Sequence, residues 1–408
     1  MERRTGDRKG RRYGGWALAI LLSLVILCSA PAMAEIVLFA PGSNQISSLG
    51  VIDVAEDDRG TLYFATDNGL SVFDGKWHIT HMTYGNPGTG LLSDHVLAVE
   101  FDPQGNLWLG YPDGLQKLVG GAYETTRDQQ LLKSLDIHSL LLANGRMWVA
   151  TGTAGAHRYR DGVWEWYKPQ GPEGLGCNYV KSMAGDENGA TVYVACNEGI
   201  WSTKNTDDPV AFTPLFSKEI MAEPALGIRS DPFGGIYIFN TSTILHYAAP
   251  DEWHLIATTP DLLLGININD VRVDADGTLW IATDNGIYAW DGKVREHLDS
   301  SKGIRNNAVK KLYIDAQDRL WFVTPENVGF YRITREPSAA NPVIPITTFT
   351  VQTTVPVPTS PVTPLPEITP DVSFRQVQEV TELPATPSSP LAGILDAILG
   401  FFGRLFSR

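Results

Sequence analysis

The chain has 408 residues and a formal net charge of −14, and neither charge nor composition is uniform along it. Set apart the N-terminal segment, with its six basic and two acidic residues, and what remains has 26 Lys and Arg against 44 Asp and Glu, or −18. A surface of that sign repels nucleic acid and anionic lipid and favours solubility. The acids are scattered, as on an ordinary solvated surface.

Residues 1–34 open with Arg3, Arg4, Arg8, Lys9, Arg11 and Arg12, continue through the apolar run Trp16–Cys28, and end in Ala32-Met33-Ala34. This order reads as a secretory signal cut before Glu35, with an uncleaved anchor helix as the alternative. Arg11-Arg12 leads into Tyr13-Gly14-Gly15, a poor twin-arginine match, and bulky Leu27 before Cys28 argues against lipidation. The expected location is extracellular or periplasmic.

After the leader the chain repeats itself. Asp58-Arg59-Gly60-Thr61-Leu62-Tyr63-Phe64-Ala65-Thr66-Asp67-Asn68-Gly69-Leu70 returns as Asp276-Gly277-Thr278-Leu279-Trp280-Ile281-Ala282-Thr283-Asp284-Asn285-Gly286-Ile287. Aligning on the aromatic finds seven copies, at Tyr63, Trp108, Trp148, Tyr193, Tyr237, Trp280 and Trp321, spaced by 45, 40, 45, 44, 43 and 41 residues. That period is one four-stranded propeller blade, so residues 35–336 predict an all-β, seven-bladed β-propeller.

The second repeat shows the pattern best. Strands are expected at Val96–Phe101, Asn106–Gly110, Leu115–Val119 and Ala122–Thr126, with turns at Asp102-Pro103-Gln104-Gly105, Pro112-Asp113-Gly114 and Gly120-Gly121. Asp186, Asp231, Asp274 and Asp315 recur at the first turn, where Asp caps its own backbone; they read as turn formers before ligands. The seventh repeat has three strands, near Val309–Ile314, Arg319–Thr324 and Val328–Ile333, and no fourth. The spare run Ile36-Val37-Leu38-Phe39 is expected to pair into this last blade and close the ring, hiding an exposed edge.

Beyond Pro337 the composition shifts. Residues 337–390 hold twelve Pro and ten Thr, a polyproline-like stalk suited to O-glycosylation and unable to build a core. In the last segment, 391–408, apolar residues at 391, 394, 395, 398, 402, 405 and 406 follow helical spacing. It is short for a bilayer span and carries Asp396 and Arg404, which suits attachment to a membrane surface or partner, or self-association.

The units Asp-x-x-Gly-x-Leu-Trp-x-Gly/Ala-Thr-x-x-Gly-Leu/Ile, with the lead-in Leu92-Ser93-Asp94-His95-Val96, resemble the two-component regulator propeller repeat. The resemblance covers roughly residues 35–336 and is plainest in repeats one, two, six and seven. It fades in repeat three, at Asn144-Gly145-Arg146, and in repeat five, where Asn240-Thr241-Ser242-Thr243 replaces Thr-x-x-Gly. It implies an extracytoplasmic sensor-type propeller that binds a ligand or partner. Members of that family usually carry two rings, a membrane helix and a histidine kinase. This sequence shows one ring and no kinase region, so the expectation is binding without direct transmembrane signalling.

No motif names a reaction. The eight histidines form no HExxH helix, Cys177 and Cys196 lack metal-ligand spacing, and no nucleophile elbow or phosphate loop is present. No catalytic residue, metal or cofactor is therefore assigned. A lyase or hydrolase acting at the channel mouth stays open only by analogy with streptogramin lyase, another seven-bladed propeller; a structural envelope role is the third reading. Cys177 and Cys196 flank the turn Asp186-Glu187-Asn188-Gly189 and fit either a disulfide across it or two separate buried thiols.

The site expectation is geometric. Loops from one blade's outer strand to the next blade's inner strand open on one face around the channel mouth. Asp94, Asn178 and Asn307 hold one aligned place in those loops, with Asn267 offset by one; His95, Tyr179 and Asn269 lie beside them and differ between blades. These seven are the candidate ligand-binding residues, for a small molecule, glycan or surface protein. The competing reading is an Asx turn launching each inner strand. The repeated Trp and Tyr suggest a sugar platform, but second-strand positions favour packing between blades.

Overall fold

Each repeat folds as its own antiparallel sheet, and there are seven such sheets. The structure is a computed structural model that describes residues 36–42, 45–81, 88–167, 174–207, 210–217, 223–248, 252–258, 266–334 and 347–349. The leader (1–34), the tail (391–408) and all of the stalk (337–390) except 347–349 lie outside the described residues. Of two compact units, residues 1–352 and 353–408, the first holds everything described.

Blade two runs Ala98–Phe101, Leu107–Tyr111, Gly114–Val119 and Ala122–Thr126, within two residues of the sequence expectation. The inner strands of the seven blades are Val51–Glu56, Ala98–Phe101, Ile137–Ala143, Val180–Gly185, Gly227–Ser230, Ile268–Val273 and Lys311–Ile314. Core packing lies between blades. Seven apolar clusters each straddle one neighbouring pair, the seventh-to-first pair included, where Phe64 and Phe73 meet Trp321 and Phe330. The repeated Trp108, Trp148, Trp280 and Trp321 are at most 3% exposed, so they pack between blades and offer no open platform.

Ring closure follows from one short strand. Ile36–Phe39 pairs antiparallel with Val328–Arg332, Ile36 opposite Tyr331 and Phe39 opposite Val328, and so becomes the outer strand of blade seven. Its side chains alternate: Ile36 and Leu38 pack toward blade six, while Val37 and Phe39 pack toward blade one. Phe39 lies 5.5 Å from Phe73 and 5.3 Å from Trp77, ring centre to ring centre.

The turn aspartates do more than turn the chain. In blades two, six and seven one carboxylate oxygen accepts two turn N–H groups. The other accepts the indole N–H of that blade's Trp: Asp102 from Trp108 at 3.0 Å, Asp274 from Trp280 at 2.8 Å and Asp315 from Trp321 at 2.6 Å. Two repeats that depart from the pattern find substitutes. Blade three has no turn aspartate, and Trp148 donates to Asn205 of blade four instead. Blade five has Tyr237 in place of Trp, and His246 Nε2 comes within 2.8 Å of Asp231.

Two features differ from the sequence reading. A four-residue α-helix, Gln129–Leu132, caps on Asp128 between blades two and three, and a 3-10 turn covers Ser300–Lys302. Their runs are too short for periodicity to reveal. Within the segment read as a stalk, Thr347–Phe349 adds a fifth strand to blade five, pairing with Trp253–Leu255. The strand it joins, Glu252–Thr258, is long for an outer strand and free of Pro, and Glu252 at its start is its one charged carboxylate. Such an edge is open to pairing, whereas Pro214 or the Arg295-Glu296 pair blunts other outer strands.

Cys177 and Cys196 are joined, with Cα atoms 6.3 Å apart. Cys177 lies in the lead-in loop before Val180–Gly185, and Val180, not Cys177, faces Cys196 in the sheet. The bond therefore ties the loop face of blade four to its second strand. Mass spectrometry of the non-reduced protein is expected to find no free thiol at either position. Removing the bond should cost about 3 kcal/mol, from the entropy of a closed loop of this length. Complete alkylation without reductant would contradict the pairing.

Candidate functional site

The lead-in loops are built on a repeated latch. Gly69, Gly155 and Gly286 end the hairpins between second and third strands, and each donates its N–H to the backbone carbonyl of the next loop: Asp94 at 2.6 Å, Asn178 at 2.8 Å and Asn307 at 2.6 Å. Val96 and Val309 return the tie to Thr66 and Thr283. The Thr hydroxyls close the hairpins from within, Thr66 onto Gly69 O at 2.7 Å and Thr283 onto Gly286 O at 2.8 Å. Gly286 has φ +98°, and a Cβ there would stand 2.3 Å from the Leu298 carbonyl. The Thr-x-x-Gly signature is thus a device that docks each loop on the preceding blade.

Because the latch uses backbone, it leaves side chains at these places to other tasks. Turns that launch the inner strands come from the neighbouring residue: Ser93 Oγ accepts from His95 N and Asn306 Oδ1 from Ala308 N. Asp94 lies 3.3 Å from His81 Nδ1, and His95 beside it is exposed. Asn178 is exposed, and Tyr179, 39% exposed, meets the His138 ring edge-on at 4.8 Å. Asn307 Oδ1 accepts from Ser300 N across its own loop.

Asn267 and Asn269 are brought together. Both amides donate to Asp284, at 2.7 and 2.9 Å, and Lys310 joins them at 2.9 Å. Burial would raise the Asp284 pKa, but these three donors outweigh it and hold the carboxyl down at about 2. The candidates at Asp94–His95, Asn178–Tyr179 and Asn307 sit at separate blade boundaries around the same face.

A second set of polar groups lines the inner strands, and the sequence reading missed it. A β-bulge in blades one, four and six is followed by Asp53, Ser182 and Asp270, opposite Ala65, Ala195 and Ala282. Each reaches the inner strand of the next blade. Asp53 accepts from Val99 N at 3.1 Å, Ser182 from Ile228 N at 3.5 Å and Asp270 from Leu312 N at 3.1 Å. These N–H groups belong to sheet edges and face no further strand, so the clamp satisfies donors that would otherwise be buried alone. Glu100 makes a similar, longer reach to Leu142 N at 3.5 Å. Burial pushes the Glu100 carboxyl up to about 7 and also raises that of Asp53. Burial lowers the Lys311 ammonium, against the pull of Asp53 and Asp270. The available signal was charge inside runs that otherwise read as buried strand, Val51-Ile52-Asp53-Val54 and Asp270-Val271-Arg272-Val273.

With this geometry in view, comparison with known proteins gives a consistent picture. Residues 262–285 match the model of the two component regulator propeller. That stretch, at the start of blade six, carries the repeat. The ring also matches solved structures. The extracellular domain of the hybrid two component system BT4673 from B. thetaiotaomicron is 16% identical with a TM-score of 0.59; the match covers 74% of this chain and 40% of that one. The corresponding domain of BT3049 from the same organism is 19% identical with a TM-score of 0.57, covering 70% and 40%. A streptogramin B lyase structure is 15% identical with a TM-score of 0.56, covering 74% and 98%. At such identities these matches speak to the fold. The chain spans about two fifths of the length of the sensor domains. No curated protein matches.

Proposed function

We propose that this regulator-type propeller is an exported, non-catalytic binding module of the sensory kind, taking a small molecule, glycan or surface protein on its loop face. The carrying observation is the backbone latch: at Asp94, Asn178 and Asn307 it docks the lead-in loop through the main chain and so makes no use of those side chains. Binding residues on loops held by a rigid scaffold are the usual arrangement for recognition. The leader would deliver the ring outside the cytoplasm, and the Pro/Thr stalk and apolar tail would hold it at a surface. The resemblance to extracellular sensor domains supports the same reading.

Screening the full secreted chain against sugars, peptides and divalent ions by thermal shift tests it. A ligand at a hundred times its Kd should add about 2.7 kcal/mol to apparent stability. Joint replacement of His95, Tyr179, Asn267 and Asn307 by Ala should remove that gain. The free protein should lose only about 1 kcal/mol at each broken Asn hydrogen bond. Ligand affinity that survives the joint replacement would move the site elsewhere, and turnover of a bound compound would replace this reading with an enzymatic one.

A further inference from the structure

We infer that Lys311 anchors a carboxylate-binding subsite in the channel just beneath the loop face, a reading that rests on the sensory role proposed above. Lys311 occupies the register of the clamp positions: it lies opposite Val323, one residue before Thr324, as Asp270 lies opposite Ala282 before Thr283. Asp53, Ser182 and Asp270 use this place to accept a neighbour's N–H. An ammonium has no acceptor to offer, so Lys311 cannot clamp blade seven to blade one. Ala98 and Gly227 hold this register in blades two and five and make no clamp either, but in blade seven the place is taken by a cation.

The ammonium feels the charges of Asp53 and Asp270 without pairing directly with either. Among the described residues no carboxylate oxygen lies within 4.0 Å of Lys311 Nζ, and no acceptor is within hydrogen-bond distance. The nearby acids are already engaged. Asp53 takes Val99 N. Asp270, 1% exposed, takes Val271 N, Leu312 N, Arg229 Nη2 at 2.6 Å and Arg272 Nη1 at 3.1 Å. Three cations on three consecutive inner strands thus lie near one carboxylate, whose Oδ1 already takes three donors and Oδ2 one. Arg229 Nε is buried and unpaired among the described residues. A partly buried cation without a hydrogen-bond acceptor is costly, and here the cost falls in a chain whose overall charge is −14.

A monoanion fits this environment. Two guanidinium groups and an ammonium offer several donors to a flat, two-oxygen acceptor. Asp53 and Glu100 on the neighbouring inner strands disfavour a multiply charged anion such as phosphate. Lys311 lies four residues beyond Asn307, roughly 13 Å along an extended strand. A ligand seated at the mouth could therefore place an acid group on it.

The test compares the full chain with Lys311→Met and Asp270→Asn in thermal unfolding. Sodium acetate, sodium glycolate and sodium glucuronate are each set against sodium chloride of equal ionic strength. At least one carboxylate is expected to raise the wild-type midpoint, and that rise should vanish in Lys311→Met. In chloride alone Lys311→Met should melt at or above the wild type, since it removes a partly buried charge that makes no direct contact with a carboxylate, while Asp270→Asn should melt well below it. A fall in Lys311→Met as large as that in Asp270→Asn would make Lys311 a structural counterion and overturn the inference. So would carboxylates that shift Lys311→Met as much as wild type, or that shift neither. Should uncharged glycans or peptides alone raise the midpoint, the sensory reading stands and this subsite falls.

Discussion

Without residues 36–40 the ring is expected to lose at least about 5 kcal/mol of stability. Four apolar side chains come out of partly buried positions, each worth about half of the 1.5–3 kcal/mol for full burial. The Phe39 contacts with Phe73, Trp77, Trp321 and Phe330 add aromatic terms of about 0.5–1.5 kcal/mol per pair. Val328–Arg332 would also become an open edge at the one join that sequence continuity does not hold. Denaturant unfolding of the truncated and full chains measures the effect. An unchanged midpoint would show that Ile36–Phe39 does not close the blade.

Asp315→Ala should be the most damaging single change at a turn, costing about 3–5 kcal/mol. The carboxylate is 3% exposed and accepts from Gln317 N, Arg319 N, Arg319 Nε and Trp321 Nε1, so its loss strands three buried donors and one part-buried one. Asp57→Ala in blade one is the internal control. Asp57 Oδ1 takes two backbone N–H groups, from Arg59 and Thr61, and blade one has Tyr63 in place of Trp; about 1 kcal/mol is expected. Equal losses at the two sites would refute the Trp clamp as a stabilising device. Acid should expose the same device in blade two. Burial alone would raise the Asp102 pKa, but Lys117, Trp108 and Asn106 outweigh it and bring it to about 2. A depressed carboxyl stabilises above its unfolded value near 4, and that contribution, on the order of 2 kcal/mol, drains away as pH falls from about 4 to 2. Asp102→Asn should flatten the stability profile across that window.

The fold was legible because its determinants are local and repeated. Asp, Gly and Trp recur at fixed offsets, and each does the same local work in several blades, so a period of 40–45 residues in one sequence suffices. Closure by Ile36–Phe39 could be read by subtraction, since blade seven lacked a strand. The site was less legible. The aligned place of Asp94, Asn178 and Asn307 is accounted for by backbone carbonyls, which any residue supplies, so their side chains carried no signal of the latch. The clamp by Asp53 and Asp270 depends on bulges and on which inner strand stands next door, and no spacing within one repeat encodes either. Asp284 was in plain view within the repeated signature, yet its meeting with Asn267, Asn269 and Lys310 requires the loop from the next blade.

The inner-strand clamps run one way round the ring, from a side chain on one blade to a peptide N–H on the following blade. A peptide N–H is the same whatever residue bears it. Where that bond alone makes the join, as from Asp53 to Val99, it imposes no pairing code between adjacent blades, whereas Arg229 and Asp270 tie blade five to blade six by a specific ion pair. A duplicated blade spliced in after blade one, four or six would meet a compatible join on its leading side without any matching substitution. In that sense the ring is modular at the joins after blades one, four and six, and more specific chemistry gathers where Arg229, Asp270 and Lys311 stand on successive inner strands.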